Sequence, residues 1–284
     1  MSNSKIEEWV NQETDPYRRE LREAVHTVLH AIAKSQRLNC QMIMKGGILL
    51  AIRYHSSRFT KDIDFSTEQK YADFDEKAFL SEFGESLTHA VEDLDYGLDC
   101  RIQRWEVRPK EKDKNFQTMA LKIGFAQKGS NKHKSLLKNN CTDVLEVDYS
   151  FNELTQEKEI LKIFNNEESL EAYSFTDLIA EKFRAILQQE MRNRIRRQDP
   201  YDLYFLFKNY SITKDEKLKI LNSLIIKSNS RNLEVNKLSI SEEIIKQRSE
   251  KEYSQLADEI EETLPPFEEV YNFVQKFYES LPWP

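Results

Sequence analysis

Two aspartates one residue apart, Asp62 and Asp64, have the spacing in this chain that most directly suggests chemistry. Residues i and i+2 of a strand project from the same face, so the two carboxylates point together while Ile63 and Phe65 face a core. Carboxylates held this close repel each other unless a cation lies between them, and oxygen ligands suit a hard divalent ion. The pair therefore predicts a Mg²⁺ site with Asp62 and Asp64 as ligands.

A pair of glycines, Gly46 and Gly47, follows an apolar segment at residues 42–44 and precedes the aspartates. The chain has 6 glycines in 284 residues, so two in succession indicate a requirement of the backbone. A Lys45-Gly46-Gly47 turn that opens a short apolar helix leaves backbone N–H groups uncovered at a helix N-terminus, where phosphate binds. A phosphate-binding turn followed by a metal-binding Asp-x-Asp pair predicts nucleotidyl transfer.

A third carboxylate is expected on the strand predicted at residues 142–151, where Glu146 and Asp148 alternate with apolar residues. Nucleotidyl transfer with two metal ions needs a further acidic ligand beside the Asp-x-Asp pair, to hold the metal that activates the attacking hydroxyl. We predict Asp148 as this third metal ligand. The alternative for Glu146 is a residue that simply faces solvent.

A resemblance to a known family rests on the glycine turn, the Asp-x-Asp strand and two later segments. The matching residues are Lys45, Gly46, Gly47, Arg58, Thr60 and 62–65, then 180–185, and then 197–204. This pattern resembles the signatures of the AbiEii/AbiGii toxin family of nucleotidyltransferases, a branch of the DNA polymerase β-like superfamily. One position differs, because Ile48 stands where many members have Thr or Ser, which leaves phosphate contact there to the backbone amides.

The resemblance implies further site residues. Lys182 is expected to meet the nucleotide phosphates, Asp199 to belong to the active site, and Arg58 and Thr60 to contact the nucleotide. At the positions of Asp148 to Ser150 the family commonly has an acidic residue, a strand residue and a serine in succession. This pattern favours Asp148 over Glu146 as the third metal ligand. Asp199 precedes Pro200 and is expected to cap the next helix, whereas Asp202 is expected to be an ordinary acid of its first turn.

Four arginines lie within the six residues 192–197. Guanidinium groups bind phosphates bidentately, so this segment is predicted to contact the nucleoside triphosphate or an RNA backbone, with Arg197 among the nucleotide-binding residues. A solvated helix end that compensates the helix dipole is the alternative.

The resemblance also implies what the chain does. We expect a bacterial toxin or abortive-infection effector against phage, paired with an antitoxin protein, that transfers a nucleotide from a nucleoside triphosphate to an RNA acceptor such as tRNA. Two alternatives remain open. One is an enzyme that nucleotidylates protein with the same site; the other is a nucleotide-binding module without catalysis, which the presence of both Asp62 and Asp64 disfavours.

The amino-acid composition indicates the cellular compartment and excludes some classes of protein. The chain is 39% hydrophobic and 32% charged with a net charge of −7, so RNA contact has to come from local basic patches. Two basic loops, 127–134 and 108–114, are candidates. The 3 cysteines fit neither a disulfide framework nor a zinc motif. No segment has the length of a membrane span or the core of a signal peptide, so we expect a soluble cytoplasmic protein.

The hydrophobic periodicity predicts an α+β fold with two domains. Helices are expected over 4–35, with a break at Asp15-Pro16, and over 74–93; period-two strands at 97–150 complete a mixed sheet as an antiparallel meander. After the sheet the chain is expected to be wholly helical. We therefore predict a polymerase β-like nucleotidyltransferase domain over 1–170 and a C-terminal helical domain over 171–284. The His26 and His30 pair, at i and i+4, is a weaker metal candidate.

Overall fold

The computed structural model describes residues 6–110, 115–164 and 168–284. The helices are α1 (Ile6–Asn11), α2 (Pro16–Lys34), α3 (Gln36–Gln41), α4 (Gly46–Tyr54), α5 (Glu76–Asp93), α6 (Asn131–Leu136), α7 (Phe175–Leu187), α8 (Gln198–Asn209), α9 (Lys214–Asn229), α10 (Glu243–Glu250) and α11 (Phe267–Glu279). The strands are β1 (Ile43–Lys45), β2 (Asp62–Ser66), β3 (Leu98–Arg108), β4 (Thr118–Gln127), β5 (Val144–Ser150), β6 (Lys158–Phe164) and β7 (Glu168–Tyr173). These elements confirm the predicted α+β class.

The seven strands form one mixed sheet in the order β3-β4-β5-β2-β1-β7-β6. The β3-β4-β5 part is the predicted antiparallel meander. Strand β5 then lies parallel to β2, which pairs antiparallel with β1. The expectation of a wholly helical chain after β5 is wrong, because β6 and β7 extend the sheet on the far side of β1. Strand β6 lies at the sheet edge and carries the charged residues Lys158, Glu159 and Lys162, as edge strands commonly do.

Helices α2 and α5 pack against each other and against β3. Helix α2 begins at Pro16, where the Asp15 carboxylate accepts the N–H of Arg18 at 2.8 Å, so the predicted break at Asp15-Pro16 is confirmed. Along β2 and β5 the apolar residues other than Val144 are fully buried, whereas the acidic residues between them are half-buried or exposed. One face of the central strands therefore belongs to the core and the other carries polar groups.

Two compact units divide the chain. Unit 1 takes in the described residues of 1–53, 60–153 and 159–172, and it holds the body of the sheet. Unit 2 takes in 54–59, 154–158 and 173–284, and it holds helices α7 to α11. The domain boundary at residues 170 and 171 stays a prediction.

Two segments differ locally from expectation. The basic segment 127–134 is more than a loop, because its second half starts α6, and the Ser130 hydroxyl caps that helix by accepting the N–H of His133 at 3.0 Å. Most of the other basic loop, residues 111–114 with Lys112 and Lys114, lies outside the described residues. Across the described ranges, no helix combines the length and the apolar character that crossing a bilayer requires.

Helix α7 is fixed in unit 2 by its start and by a buried ion pair. The Ser174 hydroxyl caps the helix by accepting the N–H of Asp177 at 3.2 Å. The Asp177 side chain does not make the reciprocal capping hydrogen bond to the Ser174 backbone. It pairs with Lys227 on α9 at 3.0 Å and accepts a hydrogen bond from Ser223. The ion pair therefore joins α7 to α9.

The two histidines of α2 are buried core residues. His26 and His30 are 0% and 2% exposed, His26 Nδ1 lies 2.8 Å from the Tyr96 hydroxyl, and His30 lies between the carboxylates of Asp93 and Glu168. Burial, and then the neighbouring His30, lowers the pKa of His26 from 6.5 to about 4. His26 is therefore neutral in the folded protein at pH 7.

This pKa predicts a pH-dependent stability. Below pH 6.5 the unfolded chain takes up a proton at His26 that the folded protein does not bind, so the free energy of unfolding falls as the pH falls from 6.5 towards 4. We expect His26 to remove about 2 kcal/mol between pH 7 and pH 5. Urea unfolding of wild type and His26→Leu at both pH values measures this. Equal pH dependence in the two proteins would contradict the prediction.

Candidate functional site

Four carboxylates lie in register on neighbouring parallel strands of unit 1. Asp62 on β2 is the partner of Glu146 on β5, and Asp64 is the partner of Asp148. Register partners on adjacent strands are roughly 4.8 Å apart and project from the same face. We call Asp62, Asp64, Glu146 and Asp148 the carboxylate face. The three predicted metal ligands thus lie on one face of two neighbouring strands.

The carboxylate face is open to solvent on one side and rests on the core on the other. Asp62 is exposed and the other three acids are half-buried, while Ile63 and Val147 between them are 0% exposed. Glu146 forms an ion pair with Lys122 of β4 at 2.8 Å. The choice of Asp148 as the third metal ligand stays a prediction.

Lys45 and Gly46 border the carboxylate face on the β1 side. Lys45 is the register partner of Asp64, is 9% exposed, and its ammonium group pairs with Glu153. Gly46 has a φ of +79°, and a Cβ atom on it would lie 2.7 Å from Cγ of Asp64 and overlap its Oδ2. The chain therefore needs glycine at position 46 both for its backbone conformation and for the close approach of the Asp64 carboxylate.

The substitution Gly46→Ala is expected to reduce activity by roughly 100-fold. The new methyl group displaces the Asp64 carboxylate, and a misplacement of about 1 Å in a catalytic site costs on the order of 10² in rate. The positive φ adds a strain of about 1 kcal/mol. Gly84→Ala in α5 is the matched control, because a Cβ there meets no atom within 4 Å. Initial rates of nucleotide incorporation measure the effect, and a Gly46→Ala rate equal to that of the control would refute the argument.

The carboxylate face has the donor set that a hard divalent cation prefers, and the Gly46 backbone leaves room beside Asp64 that a side chain would fill. Among the described residues, no group of three or more His, Cys, Asp or Glu side chains is close enough together to coordinate a metal ion. The four side chains are of the chemical type that binds Mg²⁺, and they lie on one face of the sheet. Binding of Mg²⁺ there stays a prediction.

A second group of predicted site residues forms a buried ion network in unit 2. Asp202, which is 0% exposed, accepts two hydrogen bonds from Arg58, at 2.8 and 3.0 Å, and one from Lys182 at 2.6 Å. Lys182 also donates to Asp199 at 3.0 Å. The interpretation of Asp202 as an ordinary first-turn acid is wrong, because this carboxylate joins both buried cations.

The charges of the network stabilise one another. Burial alone would raise the pKa of Asp202, but Arg58 and Lys182 outweigh it and hold the pKa below its ordinary value. Burial would lower the pKa of Lys182, but Asp202 and Asp199 outweigh it and raise the pKa. All three groups therefore stay charged at neutral pH.

Asp199 lies inside α8 rather than at its cap. The helix begins at Gln198 with Arg197 at the N-cap position, so the predicted capping by Asp199 is wrong. Its Oδ1 accepts from Lys182, while its buried Oδ2 accepts no hydrogen bond from the described residues and lies 3.9 Å from Arg196. Asp199 thus keeps an acceptor oxygen for a further contact.

The remaining predicted nucleotide-binding residues are Thr60, Arg197 and Gly47. The Thr60 hydroxyl accepts the N–H of Asp62 at 3.5 Å at the entry to β2. Arg197 pairs with Glu259 at 2.6 Å, and Gly47 lies in the first turn of α4. The sequence reasoning missed Asp202, Glu153 and Glu259. For Asp202 a signal existed, because Asp199 and Asp202 are three residues apart and so lie on one face of a helix.

Comparison with known proteins gives a family match over most of the chain. The family model described as "Nucleotidyl transferase AbiEii toxin, Type IV TA system" matches residues 27–273. Among solved structures, JHP933 from Helicobacter pylori is 15% identical, with 94% of this chain and 92% of that chain covered and a TM-score of 0.47. MenT4, the nucleotidyltransferase toxin Rv2826c from Mycobacterium tuberculosis H37Rv, is 12% identical, with 99% of each chain covered and a TM-score of 0.48. A search of curated proteins found no match.

Proposed function

This chain belongs to the AbiEii family of nucleotidyl transferase toxins of type IV toxin–antitoxin systems, and on that basis we propose the reaction that it catalyses. The proposed reaction is transfer of a nucleoside monophosphate from a nucleoside triphosphate to a hydroxyl group of an RNA acceptor such as tRNA, with Mg²⁺ and with release of pyrophosphate. The antitoxin is the protein partner that the family implies. Growth arrest, and through it defence against phage, is the proposed outcome.

The observation that carries the proposal is the register of the carboxylate face. Asp64 lies opposite Asp148 on a parallel strand, and the Gly46 backbone lies against the Asp64 carboxylate. Phosphates placed at the start of α4 would meet its uncovered N–H groups directly beside the acids. Anionic phosphate next to several carboxylates requires a cation, which supports a metal-dependent reaction.

In the proposed reaction the acceptor hydroxyl oxygen forms a bond to the α-phosphorus. The bond between that phosphorus and the oxygen bridging to the β-phosphate breaks, pyrophosphate leaves with the electron pair, and the hydroxyl proton is lost to solvent. Asp62, Asp64 and Asp148 would hold Mg²⁺, whose chemistry is neutralisation of phosphate charge and polarisation of the hydroxyl. Gly46 and Gly47 orient the phosphates through backbone N–H groups.

Active-site roles for Lys182 and Asp199 are part of the proposal and rest on the family motif. Lys182 is already held by two carboxylates, so a role with phosphate requires its ammonium group to exchange one of these partners. Asp199 has an acceptor oxygen that the network does not use. Lys182→Met is expected to raise the KM for the triphosphate if this exchange occurs.

The test is incorporation of label from each α-³²P triphosphate, with Mg²⁺ and total tRNA, by the wild-type protein and by Asp62→Asn/Asp64→Asn. This double variant keeps the shape of both side chains and removes their charge. Gel analysis separates labelled RNA from labelled protein. We expect label on RNA with wild type and none with the variant.

Each other outcome rejects part of the proposal. Label on protein with none on RNA would replace the RNA acceptor by a protein acceptor. Equal labelling by wild type and the double variant would remove the aspartates from the reaction. Without label from any triphosphate on tRNA or protein, when circular dichroism shows both proteins folded, the proposed acceptor is rejected.

A further inference from the structure

The carboxylate face continues across the sheet of unit 1 as a row of charged residues. Asp62 is the register partner of Glu146, and Glu146 is the register partner of Lys122 on β4. Lys122 is in turn the register partner of Arg104 on β3. Neighbouring strands lie roughly 4.8 Å apart, so the Cα atom of Lys122 is about 10 Å and that of Arg104 about 14 Å from the Cα atom of Asp62. Acidic residues therefore give way to basic ones from β2 to β3.

Two arginines project from this face of β3. Arg104 and Arg108 are four residues apart and so lie on the same side of the strand. Their neighbour Trp105 projects from the other side, where its indole N–H donates to Glu76 of α5 at 3.0 Å. The register partner of Arg108 is Thr118 on β4. We call Arg104 and Arg108 the arginine strip.

A β-bulge sets the position of Arg104 opposite Lys122. The register shifts between Ile102 and Arg104, which makes Gln103 the extra residue of β3. The side-chain oxygen of Gln103 accepts the N–H of Cys141 at 2.7 Å, and its side-chain nitrogen donates to the carbonyl of Cys141 at 3.2 Å. These two hydrogen bonds hold the bulge, and the strand beyond it presents its arginines beside β4.

The row between the two arginines has a small residue on β4. Glu106 is the register partner of Ala120, and Ala120 is the register partner of Asp148. Because Ala120 carries only a methyl group, no long side chain of β4 stands between Asp148 and β3 in this row. A substrate that contacts the arginine strip therefore reaches the carboxylate face across Ala120.

The arginine strip carries more positive charge than its acidic neighbours compensate. Arg104 is exposed and forms no ion pair with any residue that the structure describes. The carboxylate of Glu146 is held by Lys122 at 2.8 Å. Arg108 pairs with Glu106, but its side chain is 63% exposed, and exposed ion pairs are weak in water. Both guanidinium groups are therefore accessible to an anionic ligand.

The chemistry of the proposed reaction assigns a side of the sheet to each substrate. We placed the phosphates of the triphosphate at the start of α4, directly after β1. In an in-line displacement the attacking and the leaving oxygens lie on opposite sides of the phosphorus. With the strand order β3-β4-β5-β2-β1 and the carboxylates on β2 and β5, the acceptor hydroxyl approaches from the side of β4 and β3. The arginine strip lies on that side.

We propose that Arg104 and Arg108 bind the phosphodiester backbone of the RNA acceptor that precedes the reacting hydroxyl, an inference that rests on the proposed function. Guanidinium groups bind phosphates bidentately. The Cα atoms of the two arginines lie about 13 Å apart along β3, a spread that suits successive phosphates of a chain better than one small anion. Contacts to the backbone are independent of base identity, so the strip positions the acceptor without selecting its sequence.

The test compares Arg104→Gln/Arg108→Gln with wild type in tRNA binding, by fluorescence anisotropy from about 0.05 to about 0.3 M salt, where each phosphate contact contributes on the order of 0.7 to 0.9 to the salt slope. We expect the variant to bind tRNA roughly 25- to 60-fold more weakly at about 0.1 M salt, with a salt slope lower by about 1.4 to 1.8. In the transfer reaction the KM for RNA rises while the KM for the triphosphate is unchanged.

Two further variants separate the charge of the strip from its structure. Arg104→Lys/Arg108→Lys keeps both charges and is expected to bind tRNA within about threefold of wild type. Arg19→Gln/Arg37→Gln is the matched control. It removes one paired and one unpaired exposed arginine from α2 and α3, just as the test variant does from β3, and it should leave RNA binding unchanged.

Several results would overturn the inference. They are tRNA affinity and salt slope equal to wild type in Arg104→Gln/Arg108→Gln, an equal loss in the control, or a loss in the lysine variant as large as in the glutamine variant. A raised KM for the triphosphate with an unchanged KM for RNA would place the triphosphate on this side. Stronger binding of poly-L-glutamate than of tRNA would indicate a protein ligand. Binding is measured without triphosphate, so a failure of transfer and a failure of the arginine strip are distinguished.

Discussion

Replacing Asp148 with asparagine is expected to lower the rate of nucleotide transfer by roughly 1,000-fold, while replacing Glu146 with glutamine lowers it by less than about tenfold. Both substitutions remove one charge from the carboxylate face and keep the side-chain shape. Asp148 is the register partner of Asp64 beside Gly46, whereas Glu146 is paired with Lys122 at 2.8 Å. A metal ligand in the transition state is worth several kcal/mol, and about 4 kcal/mol corresponds to 1,000-fold.

Because both variants remove one charge, comparing their rates separates the effect of a carboxylate's position from the effect of its charge. Single-turnover rates over a range of Mg²⁺ concentrations are the measurement, and Asp148→Asn is expected to need more Mg²⁺ for its residual rate. Lys122→Met tests the reason, because without its partner Glu146 is free to approach a cation. Equal losses in Asp148→Asn and Glu146→Gln would show that the face acts only through its total charge.

Period-two alternation was enough to predict the carboxylate face as two separate strands. It shows that Asp62 and Asp64 share one side of β2 and that Glu146 and Asp148 share one side of β5. It does not show that these strands are parallel neighbours, because pairing between residues about 80 positions apart depends on the whole sheet order. The register of Asp64 with Asp148 therefore required the structure.

Charged residues were the least predictable part of the molecule. A charged side chain usually indicates solvent, and Asp202 was interpreted as an ordinary acid of the first helical turn, whereas it is buried in an ion network. Burial of a charge depends on partners distant in sequence: Asp202 meets Arg58 across 144 positions.

The substitution Asp202→Asn is expected to lower the free energy of unfolding by about 3–5 kcal/mol, because removing one partner of a buried ion network leaves buried charges without compensation. Arg58 and Lys182 both lose a charged acceptor in this variant. Urea unfolding followed by circular dichroism measures the loss. Asp258→Asn, an exposed acid of the same unit, is the control and should change stability by less than about 0.5 kcal/mol.

A double-mutant cycle with Arg58→Met decides whether the loss comes from the ion pair. If uncompensated charge is the cause, Arg58→Met/Asp202→Asn costs less than the two single variants together, by about 1–3 kcal/mol. The pKa of Asp202 is held below 3.8, so its contribution is present above that pH and is lost as the pH falls through the lower folded-state value. The stability gap between wild type and Asp202→Asn should therefore be the same at pH 7 and pH 5, the range over which His26 lowers the stability of both proteins. Additive losses in the cycle would mean that Asp202 acts through packing. A gap that closes by pH 5 would mean that the folded-state pKa of Asp202 is not held below its ordinary value.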